Sequence, residues 1–168
     1  TMTEFKPSAI LLMRFTETEL DDALEFNSGN QETNDFLKNE AFGEQERGLS
    51  TTTLVYYNGI LAAFLSMCCD AIPLNKEEEG AAAALTVPAI KIRYGIDRKF
   101  KDYEGFEAFV IDYAKNVAFE LWTSKVGVRY LTLDADLSQE HYFTEKGFVR
   151  NRSNDADGMI SMRMDIFE

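Results

Sequence analysis

Gly105 marks the end of a charged loop and the start of an amphipathic segment, where a chain can bind an anion. An apolar, strand-like run over residues 90–96 precedes the loop, and apolar residues then recur at helical spacing from Phe106 to Leu121. The first amides of a helix have no partners inside it and point at whatever lies in front of them. We therefore predict a ligand site at the loop that contains Gly105, with a helix start that binds nothing as the alternative.

Side chains suited to proton transfer occur further along the chain. Tyr142 and His141 are candidate catalytic residues, and the ordinary alternative is a surface or partly buried aromatic pair on a short helix. The candidate bases are Asp70, Asp134, Asp136 and His141. For Asp134 and Asp136, which follow a strand-like run, capping or turning the chain is the alternative role.

The composition limits the classes of function. With 168 residues and 45% hydrophobic content, we expect residues 1–168 to form one domain. The net charge of -12 argues against nucleic acid as the main partner, because such binding depends on Lys and Arg. The apolar run at residues 9–13 is too short for a signal peptide or a membrane span, so we expect a soluble, cytoplasmic protein without a membrane partner.

The cysteine and histidine content gives no support for a metal site. Cys68 and Cys69 are adjacent in a strand-like segment, where their side chains would point to opposite faces. The chain has one histidine and no spaced set of Cys and His residues, so neither a zinc site nor a structural disulfide is predicted.

The first half of the chain is predicted to form a strand, two helices and a hairpin. Residues 9–15 fit a buried strand, and Thr16 can cap a helix that begins at Glu17. A second helix is predicted over residues 31–45. The Asn58-Gly59 pair, with strand-like residues at 51–57 and 60–69, predicts an antiparallel hairpin.

The second half adds the central strand and helix and a series of shorter elements. We interpret residues 70–88 as a solvated connection that could cover the site as a lid. Residues 129–135 alternate like a strand, and Ser138 can cap a short helix over residues 139–146. Residues 148–150 and 159–166 fit two final strands. This order predicts an α/β fold with a mixed, mostly antiparallel central sheet flanked by helices.

Several of these features together resemble one family. They are the phrase at residues 26–30 with residues 34–37, the hairpin at Asn58-Gly59, the strand at 89–97 with the long helix after it, and residues 142–148. In order and spacing they resemble the GNAT superfamily of acyl-CoA-dependent N-acyltransferases over nearly the whole chain. The resemblance implies direct attack of a substrate amine on the thioester of acetyl-CoA. It also implies that the thioester lies beside a strand bulge near Tyr94, Gly95 and Ile96.

The loop before the long helix departs from the family pattern, which typically reads R/Q-x-x-G-x-G/A and binds the pyrophosphate of coenzyme A. The matching positions are Asp102, Tyr103, Glu104, Gly105, Phe106 and Glu107. An acid replaces the first Arg or Gln, and Glu107 replaces the last small residue. The backbone amides remain, because every residue except proline supplies one. The acids would repel a pyrophosphate, each by about 1 kcal/mol at ~4 Å in water.

The aromatic pair that follows departs as well. Many family members carry a tyrosine at its second position that protonates the departing thiolate, and this chain has Phe143 there, with Tyr142 one place earlier. One place on a helix is a rotation of about 100°.

Three functions remain open at this point. The first is an acyltransferase that moves acetyl from acetyl-CoA to a primary amine of a small molecule or a protein. The second is a GNAT-shaped binding or regulatory module. The third is a toxin-like acetyltransferase of aminoacyl-tRNA, because the phrase at residues 26–37 is shared with such toxins. A homodimer is expected from the resemblance alone.

Overall fold

A computed structural model describes residues 2–74, 86–151 and 158–168. The strands it contains are β1 (Thr3–Glu4), β2 (Ile10–Arg14), β3 (Thr51–Tyr57), β4 (Ile60–Ile72), β5 (Val87–Ile96), β6 (Tyr103–Glu104), β7 (Tyr130–Asp136), β8 (Val149–Arg150) and β9 (Met159–Asp165). The helices are α1 (Leu20–Glu25), α2 (Gln31–Asp35), α3 (Ala41–Glu46), α4 (Phe106–Ser124) and α5 (Glu140–Glu145). No helix in the described residues is long and apolar enough to cross a membrane.

Seven of these strands form one mixed sheet in the order β2-β3-β4-β5-β7-β9-β8. The β2–β3, β3–β4, β7–β9 and β8–β9 pairs are antiparallel. Strands β5 and β7 are parallel, with Ala89 opposite Tyr130. The predicted α/β class with a mostly antiparallel sheet flanked by helices is therefore confirmed. The short parallel pairing of β1 with β6 was not predicted.

The chain divides into two compact units. The first contains the described residues of Thr1–Cys68 and Arg93–Tyr113, and the second those of Cys69–Ile92 and Ala114–Glu168. In the first unit, side chains from β2, β3, β4 and the early helices form one apolar cluster that includes Phe15, Phe26 and Phe64. In the second, Ile72 and Tyr130 belong to a smaller buried cluster.

The Asn58-Gly59 hairpin has the predicted form. Both residues have positive φ, 49° and 80°, which is what the common two-residue hairpin turn requires. Tyr57 and Ile60 pair directly across it. Strand β4 continues to Ile72 and β5 begins at Val87. The solvated connection predicted over residues 70–88 therefore overlaps the ends of both strands. Residues 75–85 lie outside the described part of the chain, and the lid stays a prediction there.

Two helical segments differ from the prediction. The helix predicted over residues 31–45 is divided by a π-helical turn at Phe36–Glu40, which separates α2 from α3. The predicted cap at Ser138 is wrong, because Leu137–Gln139 form a 3-10 turn and Asp136 caps it together with Gln139.

The predicted cap at Thr16 is confirmed. The Thr16 side chain accepts a hydrogen bond from the Thr18 amide, and Glu19 completes the capping box.

Candidate active site

The start of α4 has the open geometry that an anion site needs. Gly105 has a φ of +83°, a conformation that favours glycine, and its carbonyl accepts the amide of Phe109 at 2.9 Å. The amides between these residues therefore lack partners inside the helix. A methyl group built on Gly105 would meet no atom within 4 Å. The predicted helix start is confirmed, and the space on the side of Gly105 where a Cβ would lie is open.

Glu107, which replaces a small residue of the family pattern, is bound by its neighbour in β5. The Tyr94 hydroxyl donates a hydrogen bond of 2.8 Å to Glu107 Oε1. Two residues predicted separately as cofactor contacts are thus brought together. The hydrogen bond fixes the direction of the carboxylate that would otherwise be free to approach a bound phosphate.

Phe106 and Tyr103 belong to an aromatic cluster beneath the loop. Phe106 is buried, and the Tyr103 ring lies 5.1 Å from Tyr57 and 5.4 Å from Phe100 between ring centroids. Phe100 also contacts Phe106, with 6.2 Å between ring centroids. These aromatic contacts hold the loop in place. Because the Phe106 side chain is buried, only the backbone of Phe106 could contact a ligand in front of the helix.

The remaining loop acids, Asp102 and Glu104, are exposed. Within the described residues neither side chain has a hydrogen bond or ion pair, and the same holds for the exposed Arg98 and Lys99 just upstream. Lys101 differs, because its Nζ donates to the Ser28 carbonyl at 2.5 Å. In this loop and just before it, two carboxylates and two cationic side chains are therefore available to act on a bound anion.

Asp97 is a residue that the sequence analysis did not single out. It is 2% exposed, and its two carboxylate oxygens accept the amides of Asn27 and Lys99, each at 2.9 Å. Its own amide donates to the Ala62 carbonyl at 2.8 Å. Asp97 thus joins the end of β5 to the turn at residues 27–30. The only signal in the sequence was an acid directly after an apolar strand.

The phrase that carried the family resemblance forms a turn closed by its own side chains. Ser28 donates from its amide and from its hydroxyl to Asn34 Oδ1, at 2.8 and 2.9 Å. Asn34 Nδ2 donates in turn to Asn27 Oδ1 at 3.1 Å. In the described structure these polar residues stabilise the turn that Asp97 and Lys101 hold.

Gly95 is packed closely by its neighbours in the first unit. A Cβ at this position would lie 2.6 Å from Thr33 Cγ2 and 2.8 Å from Phe64 Cε1, while the φ of Gly95 is not among the positive values. A bulge, which the resemblance implies here, would account for a glycine by the unusual dihedrals that glycine tolerates. The structure gives a different reason, which is the lack of room for a side chain. Ile96, beside it, is buried.

The aromatic pair lies on α5 in the second unit. Phe143 is buried against Phe148, with ring centroids 5.7 Å apart, so the position where the family often has a tyrosine is a core position here. Tyr142 is half-buried, and Lys146 Nζ lies 5.5 Å from its ring centroid. The His141 side chain is 86% exposed and lies 3.3 Å from Glu145.

Each carboxylate considered as a base has a structural partner in the second unit. Asp70 accepts a hydrogen bond of 2.6 Å from the Thr132 hydroxyl. Asp134 pairs with Lys91 at 2.6 Å, and Asp136 caps the turn before α5. Of the two residues for which capping or turning the chain was the alternative role, Asp136 has that role.

Comparison with known proteins identifies the fold. No protein-family model and no curated protein matches the sequence. Among solved structures, a mutant of KacT matches with a TM-score of 0.78 and 13% identity, covering 95% of this chain and 96% of that one. AtaTR bound with acetyl-CoA matches with a TM-score of 0.76 and 15% identity, covering 95% of both chains. The chain has the GNAT fold.

Other structures with the GNAT fold contain further partners. AtaT complexed with acetyl-methionyl-tRNAfMet matches with a TM-score of 0.74 and 16% identity, covering 90% of this chain and 93% of that one. Another match is the AtaT–AtaR complex bound to DNA. The expectation that nucleic acid is an unlikely partner because of the acidic charge is therefore not borne out, because net charge does not report how charge is distributed over a surface.

The residues at the start of α4 fit the phosphate end of a coenzyme A ester. The fit rests on the unpartnered helix amides, the open space at Gly105 and the hydrogen bond that holds Glu107. Arg98 and Lys99 supply positive charge just before the loop.

Proposed function

We propose that this protein is an acyl-CoA-dependent N-acyltransferase that moves an acetyl group from acetyl-CoA to a primary amine, with residues 1–168 acting as a single domain. The observation that carries the proposal is the open start of α4 at Gly105 in a chain with the GNAT fold. The structure of AtaTR bound with acetyl-CoA supports it as a match of the same fold.

In this proposal the amides after Gly105 hold the pyrophosphate, and Asp97 keeps the end of β5 and the adjoining turn in place. Acetyl-CoA supplies an activated acetyl group as a thioester. A protonated amine first gives one proton to solvent. Attack of the neutral amine then forms an amide bond and breaks the carbon–sulfur bond, while the nitrogen loses a second proton and the thiolate gains one. Tyr94, Gly95 and Ile96 are proposed to lie beside the thioester, as the resemblance implies.

We assign the role of acid to Tyr142 rather than to His141. The imidazole of His141 is exposed and paired with Glu145, whereas the Tyr142 ring is half-buried. A positioned acid contributes about 10²- to 10⁴-fold in rate. A thiol with a pKa near ~8.5 is a fair leaving group without one, so we expect Tyr142→Phe to slow transfer and not to abolish it.

The acceptor is proposed to be a cationic amine of a small molecule or a protein. Residues 16–50, which include α1 to α3, contain ten acidic and two basic side chains. Such a segment would attract a cation and repel a polyanion. Aminoacyl-tRNA is the second candidate, favoured by the match to AtaT complexed with acetyl-methionyl-tRNAfMet.

A GNAT-shaped binding module without catalysis is the remaining candidate. It is favoured by the structural partners of Asp70, Asp134 and Asp136, which leave those carboxylates with roles other than proton abstraction.

A turnover assay separates these candidates. The purified protein would be incubated with acetyl-CoA and, in parallel, a panel of polyamines, a lysine-rich peptide and charged tRNA, and release of free thiol would be measured. We expect thiol release that depends on a cationic amine, with a gain of one acetyl group in the acceptor by mass spectrometry. Release only with charged tRNA would select the second candidate, and no acceptor-dependent release together with acetyl-CoA binding would select the module.

A further inference from the structure

Residues 3–5, which we call the strap, lie along the loop that precedes α4. The Thr3 amide donates to the Asp102 carbonyl at 3.0 Å, and Thr3 and Glu4 pair in parallel with Tyr103 and Glu104. We propose that the strap positions this loop and thereby sets the affinity for the phosphate end of acetyl-CoA. This inference rests on the proposed function.

The strap is anchored by an aromatic side chain at its end. The Phe5 ring lies 5.5 Å from Phe106 and 5.5 Å from Phe109, both on α4, and 5.9 Å from Tyr57. The next residue, Lys6, donates its amide to the Tyr57 hydroxyl at 3.1 Å. Phe5 therefore connects the strap to the first turn of the helix whose amides face the open space at Gly105.

The loop needs such support because of its composition. Asp102 and Glu104 are exposed acids that repel each other and any bound phosphate, and Gly105 adds backbone freedom. The strap occupies one backbone edge of Tyr103 and Glu104 and so restricts the conformations of the loop. A loop that is already ordered loses less entropy when a ligand binds, which favours affinity.

Two proline variants at neighbouring positions test the role of the strap. Thr3→Pro removes the amide that donates to Asp102, whereas Glu4→Pro places the same ring one residue later, where the strand amide points to the opposite side. Both residues are exposed, so neither variant should unfold the protein. Thermal unfolding would confirm this.

The measurement compares two ligands for each variant. Coenzyme A contains the pyrophosphate, and S-acetylpantetheine contains the thioester arm without it. We expect Thr3→Pro to weaken coenzyme A binding by about five- to tenfold, as expected for the loss of one hydrogen bond, and to leave S-acetylpantetheine binding unchanged. Glu4→Pro should resemble the wild type. Phe5→Ala should weaken coenzyme A binding similarly, and Phe5→Leu should restore most of it.

Each other outcome has a defined meaning. Equal coenzyme A affinity in the wild type and Thr3→Pro would overturn the inference. A loss of similar size for both ligands would also overturn it, because the strap would then support the fold in general. If the wild type bound neither ligand, the proposed function would fail before any variant was considered, and the role of the strap would fail with it.

Discussion

The Tyr94 hydroxyl lies 2.8 Å from Glu107 Oε1 and donates a hydrogen bond to it. This contact joins the end of β5 to the first turn of α4. We propose that it lets the loop carry Glu107 where the family pattern has a small residue, because the hydrogen bond to Tyr94 holds the carboxylate. The contact is also testable by substitution.

We expect Tyr94→Phe to weaken acetyl-CoA binding by about fivefold, since an unpaired Glu107 carboxylate could turn toward the phosphates. Glu107→Gln in the wild-type background should bind at least as tightly as the wild type. In the Glu107→Gln background the further Tyr94→Phe change should have little effect. Titration calorimetry of the four proteins measures this coupling, and additive effects would show that Tyr94 does not act through Glu107.

Neutralising Glu104, one of the two exposed acids of the loop, should strengthen binding. We expect Glu104→Gln to lower the dissociation constant for acetyl-CoA by about fivefold at low salt, which corresponds to ~1 kcal/mol for a charge near a phosphate. The gain should shrink as salt is raised, because exposed charges are screened. Glu120→Gln, about four turns further along α4, is the matched control and should change nothing. An equal gain in both variants would point to net charge rather than to the loop.

Removing the charge of Asp97 should destabilise the protein. In Asp97→Asn, the new side-chain amide would place a donor against one of the two backbone amides that the Asp97 carboxylate accepts. We expect this substitution to lower the free energy of unfolding by about 2 to 3 kcal/mol. Asp102→Asn makes the same chemical change at an exposed side chain and should alter stability by less than ~0.5 kcal/mol. Similar effects of both variants in urea unfolding would contradict the anchoring role of Asp97.

A methyl group at Gly95 should be costly. It would lie 2.6 Å from Thr33 Cγ2 and 2.8 Å from Phe64 Cε1, inside the apolar core of the first unit. We expect Gly95→Ala to lower the free energy of unfolding by about 1 to 3 kcal/mol. Adding Thr33→Ser removes the nearer carbon and should recover part of the loss. If Gly95→Ala were neutral, the glycine would have to be explained by the ligand.

Tyr56 gives the protein a dependence on alkaline pH. Burial, with the hydrogen bond of 2.5 Å that its hydroxyl donates to Asp22, raises the pKa of Tyr56 above its ordinary value. As the pH rises, the unfolded chain loses this proton before the folded protein does. The contribution of Tyr56 to the free energy of unfolding is therefore fully present below pH ~10 and declines above it. Tyr56→Phe should show a shallower decline of unfolding free energy between about pH 10 and 11. If the free energy of unfolding depended on pH in the same way in the wild type and in Tyr56→Phe, this assignment would be contradicted.

The strands, the hairpin and the start of α4 follow from local patterns, which is why they could be predicted. Asn58-Gly59 and the alternating residues around it depend only on neighbours in sequence. The contacts that shape the candidate site do not. Asp97 with Asn27, Tyr94 with Glu107 and Thr3 with Asp102 each join distant segments, and no periodicity reports such pairs. Gly95 illustrates the same limit, because its close neighbours come from other elements.

The most direct test of the account is a calorimetric titration with acetyl-CoA of the wild type, Gly105→Ala and Gly48→Ala. Both glycines have positive φ, +83° and +71°, and a methyl group on either meets nothing within 4 Å. Each variant should therefore lose about 1 to 2 kcal/mol of stability from backbone strain. We expect micromolar binding by the wild type and Gly48→Ala, and clearly weaker binding by Gly105→Ala. Absence of binding by the folded wild type, or equal affinity in all three proteins, would contradict an acetyl-CoA site at the start of α4.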